Sequence, residues 1–178
     1  MMRRLIPCGL AALLLTACQR EAEQQLAELS GRIFVFNYRV ATANYLVTLR
    51  RTGTLPEGGS VEAEFENPRG GNPLTIREKL FPMMEKISLA SPPIECVRQG
   101  RPYAVKIRLL DSDGTPLQTI ETTVTSNVDQ SILPAKPLVV GPGYDPNPDV
   151  FKPDGSADYS PVADCPASTS QDCGKTTS

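Results

Sequence analysis

The chain has 178 residues, with 18 basic against 20 acidic side chains, no histidine and no tryptophan. A formal charge of −2 without a basic block argues against nucleic acid as a partner and against charge-driven binding to anionic headgroups. Without histidine there is no Ser-His-Asp or Cys-His catalysis, no His-ligated zinc and no imidazole proton shuttle.

The chain opens on Met1-Met2-Arg3-Arg4 and continues through an almost unbroken apolar run from Leu5 to Leu15. A positive flank, an apolar stretch of about 7–15 residues and small residues at a cut make a secretory signal, and the run is too short for the roughly 20 residues of a membrane span. The small residues end in Leu15-Thr16-Ala17-Cys18, which resembles the lipobox of bacterial lipoproteins. The resemblance covers the first eighteen residues and implies removal of residues 1–17 and lipidation of Cys18, leaving a mature chain of formal charge −4 because only Arg3 and Arg4 are lost. The residue after the cysteine is Gln19 and not Asp, which by the same resemblance favours the outer membrane. The other reading of the segment is a secreted protein cut after Ala17, with Cys18 free or bridged.

Residues 18–30 read as a polar tether. Ala22, Leu26 and Leu29 have the spacing of a short amphipathic helix stopped by Gly31, but twelve residues are marginal for an isolated helix, and a solvated spacer is the favoured form. From Gly31 the period becomes two. Phe34, Phe36, Tyr38 and Val40 share one face of a first strand, and Tyr45, Val47 and Leu49 share one face of a second. In Ser60–Glu66, Val61, Ala63 and Phe65 alternate with Glu62, Glu64 and Glu66, a half-buried strand whose acidic face reads as solvated and not as a cation site. After the loop at Asn67–Pro73, short strands are expected over Leu74–Lys79 and Lys86–Leu89. Between them lies an apolar patch, Phe81-Pro82-Met83-Met84, read first as core filler and second as a partner contact.

Tyr103, Val105, Ile107 and Leu109 then alternate with polar residues, Asp111-Ser112-Asp113-Gly114 turns the chain, and Ile120, Thr122 and Val124 return. The turn lacks the further carboxylate, the glycine placement and the closing glutamate of a calcium loop. The stretch from Val97 through Gly100, Pro102 and Tyr103 to Ile107 resembles the lead into the penultimate strand of fibronectin type III and related Ig-like domains, where a tyrosine hydroxyl bonds back across the corner. That resemblance makes Tyr103 the candidate corner residue; a core tyrosine whose hydroxyl meets solvent is the competing reading. The expected fold is all-β, an antiparallel Ig-like or fibronectin-like sandwich over residues 31–140.

Residues 141–166 are rich in proline and aspartate and read as an irregular strap, with residues 167–178 disordered beyond it. Tyr144, Phe151 and Tyr159 are expected to bury against the sandwich, with a free recognition segment as the other reading. The aspartates Asp145, Asp149, Asp154, Asp158 and Asp164 are too dispersed for a calcium cage. With Cys8 removed and Cys18 lipidated, three cysteines reach an oxidising compartment, and Cys96–Cys165 is favoured over Cys165–Cys173 because it would hold the strap to the sandwich.

These readings converge on a non-catalytic outer-membrane lipoprotein that acts as a structural or protein-binding module of the envelope. No cofactor or metal is implied, since the carboxylate-pair and Ser-Lys chemistries that survive without histidine have no local motif, and Gly70-Gly71 and Gly141-Pro142-Gly143 lack phosphate-loop context. Its partners would be the membrane, through the lipid on Cys18, and an envelope protein, with Phe81, Met83, Met84, Tyr144, Phe151 and Tyr159 as candidate contacts. The contrasting class is a carbohydrate-binding or adhesion lipoprotein in which Tyr38, Tyr45 and Tyr144 replace the missing tryptophan as stacking platforms.

Overall fold

The computed structural model describes residues 25–166. The expected signal segment, Cys18, the expected tether residues 19–24, Cys173 and residues 167–178 lie outside the described residues. Seven strands form two antiparallel sheets: β1 (Ala27–Asn37), β2 (Thr42–Arg51), β3 (Ser60–Phe65), β4 (Leu74–Lys79), β5 (Lys86–Ala90), β6 (Pro102–Leu110) and β7 (Pro116–Thr125). One sheet has the order β1-β2-β5 and the other β4-β3-β6-β7, so the chain crosses between layers after β2, β4 and β5. This is an all-β, antiparallel sandwich, as expected.

Alternation decides which side chains meet between the layers. Tyr45, Val47 and Leu49 of β2 face Val61, Ala63 and Phe65 of β3 and Tyr103, Val105, Ile107 and Leu109 of β6, all buried in one core. The half of the core nearer the β1–β2 turn is aromatic: the Phe34 ring stands 4.6 Å from Tyr45 and 5.6 Å from Tyr103, and Tyr45 is 5.2 Å from Phe65. Burial pushes the Tyr45 phenol far above its usual range, aided by the nearby Glu66 carboxylate, and its hydroxyl donates to the Glu66 carbonyl at 2.7 Å.

Tyr103 is a corner tyrosine. Its ring is fully buried, and its hydroxyl accepts a 2.7 Å hydrogen bond from the Arg98 N–H, five residues back. Tyr103→Phe keeps the ring and orphans that N–H, so it should cost about 1–2 kcal/mol. Urea denaturation should show a lower midpoint at an unchanged slope; an unmoved midpoint would assign the tyrosine to packing alone.

Two boundaries differ from the expectation. β1 begins at Ala27, inside the expected tether, and Gly31 ends no helix: a bulge at Ser30 places Gly31 opposite Thr48. Leu26 and Ala27 are buried, and the Gln118 side chain of β7 ties them down, its Oε1 accepting both of their N–H groups and its Nε2 donating to the Ala27 carbonyl. Those fixed partners outweigh the helical spacing of Leu26 and Leu29. The last sandwich strand ends at Thr125, although Leu133 beyond it still packs in the core. Val139–Val140 form a two-residue strand, β8, that pairs with β9 (Asp145–Pro146) within the strap.

The glutamate row of β3 is not merely wet. Arg108 on β6 bonds Glu62 at 3.0 Å and also Glu64, while Arg101 bonds Glu66. The three carboxylates are met by cross-strand guanidinium groups, each half-exposed pair contributing about 0–1 kcal/mol.

Candidate functional site

The strands run between two ends of different character. At one end, called proximal here, lie Gln25 and Leu26, the turn between β4 and β5, and the Asp111–Gly114 turn. Asp111 Oδ1 accepts the Asp113 and Thr115 N–H groups at 2.9 and 2.8 Å and Gly114 takes a positive φ, which suits a tight turn. The opposite, distal end gathers the β1–β2 turn, the Asn67–Pro73 loop and the entire strap.

The strap crosses this distal end and is fixed at intervals. The Leu138 N–H donates to the Arg39 carbonyl at 2.9 Å, Ala135 to Ser160 at 2.8 Å, and Asp158 to Val150 at 3.0 Å. Asn147 closes a local loop, donating from Nδ2 to the Pro137 carbonyl and from its backbone to Leu138. Cys165 is disulfide-bonded to Cys96. Cys96 and Asp164, the residue preceding Cys165, both hold left-handed backbone, with φ of +70° and +63°. Two non-glycine residues in that region cost conformational energy that the surrounding contacts must offset. Hydrogen bonds from Ser156 and Ser160 hold the exposed Asp154 and Asp158 carboxyls below the usual range and shape two polar turns in the strap.

Gln130 joins this scaffold to the core. It lies in a short 3-10 turn (Gln130–Ile132) and is only 6% exposed. Its Nε2 donates to the Ile94 carbonyl at 2.8 Å and its Oε1 accepts the Val97 N–H at 3.0 Å, holding the segment that carries Cys96. A cleft of about 200 Å³ beside the disulfide, lined by Arg98, Asp129, Gln130 and Val162 among others, is smaller than the roughly 300 Å³ at which small-molecule sites begin. A broader trough of about 660 Å³ lies between Arg32 of β1 and Thr122 of β7, crossed by the Arg32–Thr122 hydrogen bond.

The aromatic side chains of the strap do not bury as expected. Tyr144 and Tyr159 are 57% and 50% exposed and Phe151 is half-buried, stacked edge-on against Tyr159 at 6.3 Å. Val150, fully buried, and Asn147 are the inward residues instead. Prolines on both sides of them and the short β8–β9 pairing turn the larger rings outward. Tyr144 sits on a positive φ of 56°, with the Arg39 guanidinium 4.8 Å from its ring centre and Tyr38, 47% exposed, adjacent to Arg39 in the β1–β2 turn.

The six candidate contacts therefore divide. Tyr144, Phe151 and Tyr159 stand at the distal end. Phe81, Met83 and Met84 lie in the proximal β4–β5 turn, where Met84 packs on the core while Phe81 and Met83 are 52% and 86% exposed. Sequence reasoning missed Gln118 and Gln130, whose polar side chains carry no periodic signal. Comparison of the chain with protein-family models and with curated protein sequences found no match in either.

Proposed function

We propose that the protein is a non-catalytic lipoprotein of the outer membrane whose sandwich is a structural or protein-binding module of the bacterial envelope. The observation that carries this reading is the placement of the chain's two distinctive segments. Leu15-Thr16-Ala17-Cys18 closes a signal-like segment, and Leu26, buried at the start of the sandwich, lies eight residues beyond the cysteine, at most roughly 29 Å away even fully extended. A lipid at Cys18 would hold the proximal end close to the bilayer. β1, eleven residues and about 35 Å long, then sets the strap end away from it.

An exposed, braced strap with three aromatic rings suits recognition of a protein surface, where tyrosine combines an apolar body with a polar tip. The Arg39 guanidinium against Tyr144 leaves that ring less open for sugar stacking, and Tyr45 is fully buried, which supports the protein-binding reading over the carbohydrate-binding one.

Labelled palmitate should enter the wild-type protein and be lost entirely in Cys18→Ala, with the variant moving from the membrane to the soluble fraction. Two or three acyl chains, at about 0.8 kcal/mol per buried methylene, make the wild-type attachment durable. An unlabelled wild type would end the lipoprotein reading. A photo-crosslinker at Tyr159 in intact cells should yield protein adducts; none, with glycan-array binding instead, would favour adhesion.

A further inference from the structure

We infer that the β4–β5 turn, Phe81-Pro82-Met83, is a second membrane contact that dips into the bilayer interface and fixes the tilt of the anchored domain. The inference rests on lipidation at Cys18. Three consecutive residues tie the turn to the start of the sandwich. The Arg51 N–H donates to the Glu85 carbonyl at 3.0 Å and its guanidinium bonds the Pro82 carbonyl. Next to it, the Thr52 and Gly53 N–H groups donate to the Leu26 carbonyl at 2.9 and 3.0 Å, and the Thr52 hydroxyl to that of Gln25 at 2.9 Å. β1, β2 and β5 are neighbours in one sheet, so the turn sits about 10 Å, two strand spacings, from the point where the chain leads back to Cys18. An anchor reaching at most roughly 29 Å from Leu26 keeps this end within reach of the lipid surface.

The chemistry of the turn fits a bilayer better than a protein groove. Phe81 and Met83 project from a tight loop closed by the Met84 N–H on the Phe81 carbonyl at 3.0 Å, while Met84 is held by the core, so the two rim side chains are presented on a fixed base. Lys79 and Lys86 flank them in sequence and Arg51 lies beneath, cations suited to headgroup phosphates; Glu85 is the one carboxylate within the turn's span. Asp111 and Asp113, also at this end, lie on the other sheet, at the β6–β7 turn. Two contacts at one end of the domain, the lipid and this apolar tip, would together set its tilt. Interfacial side chains of this kind bury about 5–10 Å into the headgroup and acyl boundary.

The chain has no tryptophan, so one introduced at a chosen site reports alone. Met83→Trp, at a site exposed enough to leave packing undisturbed, is made in the full lipoprotein and reconstituted in vesicles of phosphatidylethanolamine and phosphatidylglycerol carrying brominated acyl chains. Phe81→Trp is the second variant and Tyr144→Trp the distal control, with palmitate labelling measured on each sample. Labelled protein with blue-shifted, largely quenched emission at position 83 or 81, and unquenched emission at 144, is the expected result. Labelled protein whose emission at 83 and 81 matches that at 144 overturns the contact while leaving the anchor intact. Unlabelled protein overturns both.

Discussion

Replacing Cys96 and Cys165 together by alanine is expected to lower stability by about 4 kcal/mol, the chain-entropy value for a bridge of this loop length. The cysteines are 69 residues apart, so the bond closes a loop containing β6, β7 and most of the strap. For a domain of this size the loss corresponds to a fall in Tm of roughly 10 °C. The effect should be uneven. The sandwich ladders do not need the bridge, whereas Asp164 and Cys96 hold left-handed backbone beside it, so the strap beyond Pro142 should become sensitive to protease before the sheets melt. Changing both cysteines avoids rescue by Cys173. A Tm within a degree or two of wild type, with the strap still protected, would show that the hydrogen bonds at Arg39, Pro137 and Ser160 hold it unaided.

Gln130→Leu should cost about 2–4 kcal/mol, because it keeps the side-chain bulk and removes both hydrogen-bonding ends at once. The Ile94 carbonyl and the Val97 N–H belong to residues 3% and 1% exposed, and each buried group left unpaired costs about 1–3 kcal/mol. Since these groups flank Cys96, a lower denaturation midpoint should come with slower oxidation of Cys96 with Cys165 on refolding. Gln130→Ala should be milder where water enters the vacated space. A loss below about 1 kcal/mol for the leucine variant would mean that both groups find other partners.

Much of the sandwich was legible because one physical rule, burial on alternate residues, dominates its central strands. Val61, Ala63 and Phe65, and Tyr103 through Leu109, point inward as their spacing predicts, and the Asp111–Gly114 turn closes its hairpin as its composition predicts. The short strands β4 and β5 also fall where expected, although Pro82 and a low apolar count weakened their signal. Where partners distant in sequence decide, legibility fails. Leu26 and Ala27 join the sheet because Gln118, more than ninety residues later, captures their backbone. In the strap, local composition announces irregularity without saying which side chain turns inward, and the hydrogen bonds of Asn147 select Val150 over the aromatic rings. The β4–β5 turn is the reverse case: its residues are conspicuous, but only the fold shows that they share an end with Leu26.

The alignment of β1 has a mechanical consequence. A domain held at its amino-terminal end, and gripped by a partner at the strap, would be loaded along the strand axis. The β1–β2 ladder, continuous from Ala27–Arg51 to Asn37–Thr42 apart from the bulge at Ser30, would then carry the load in shear, its hydrogen bonds sharing the force instead of opening in succession. Gln118 would carry part of it across the gap to β7, and the Cys96–Cys165 bond would stop the load from peeling the strap off the sandwich end. The rate of forced unfolding would depend on how long that ladder survives, and much less on the equilibrium stability of the core.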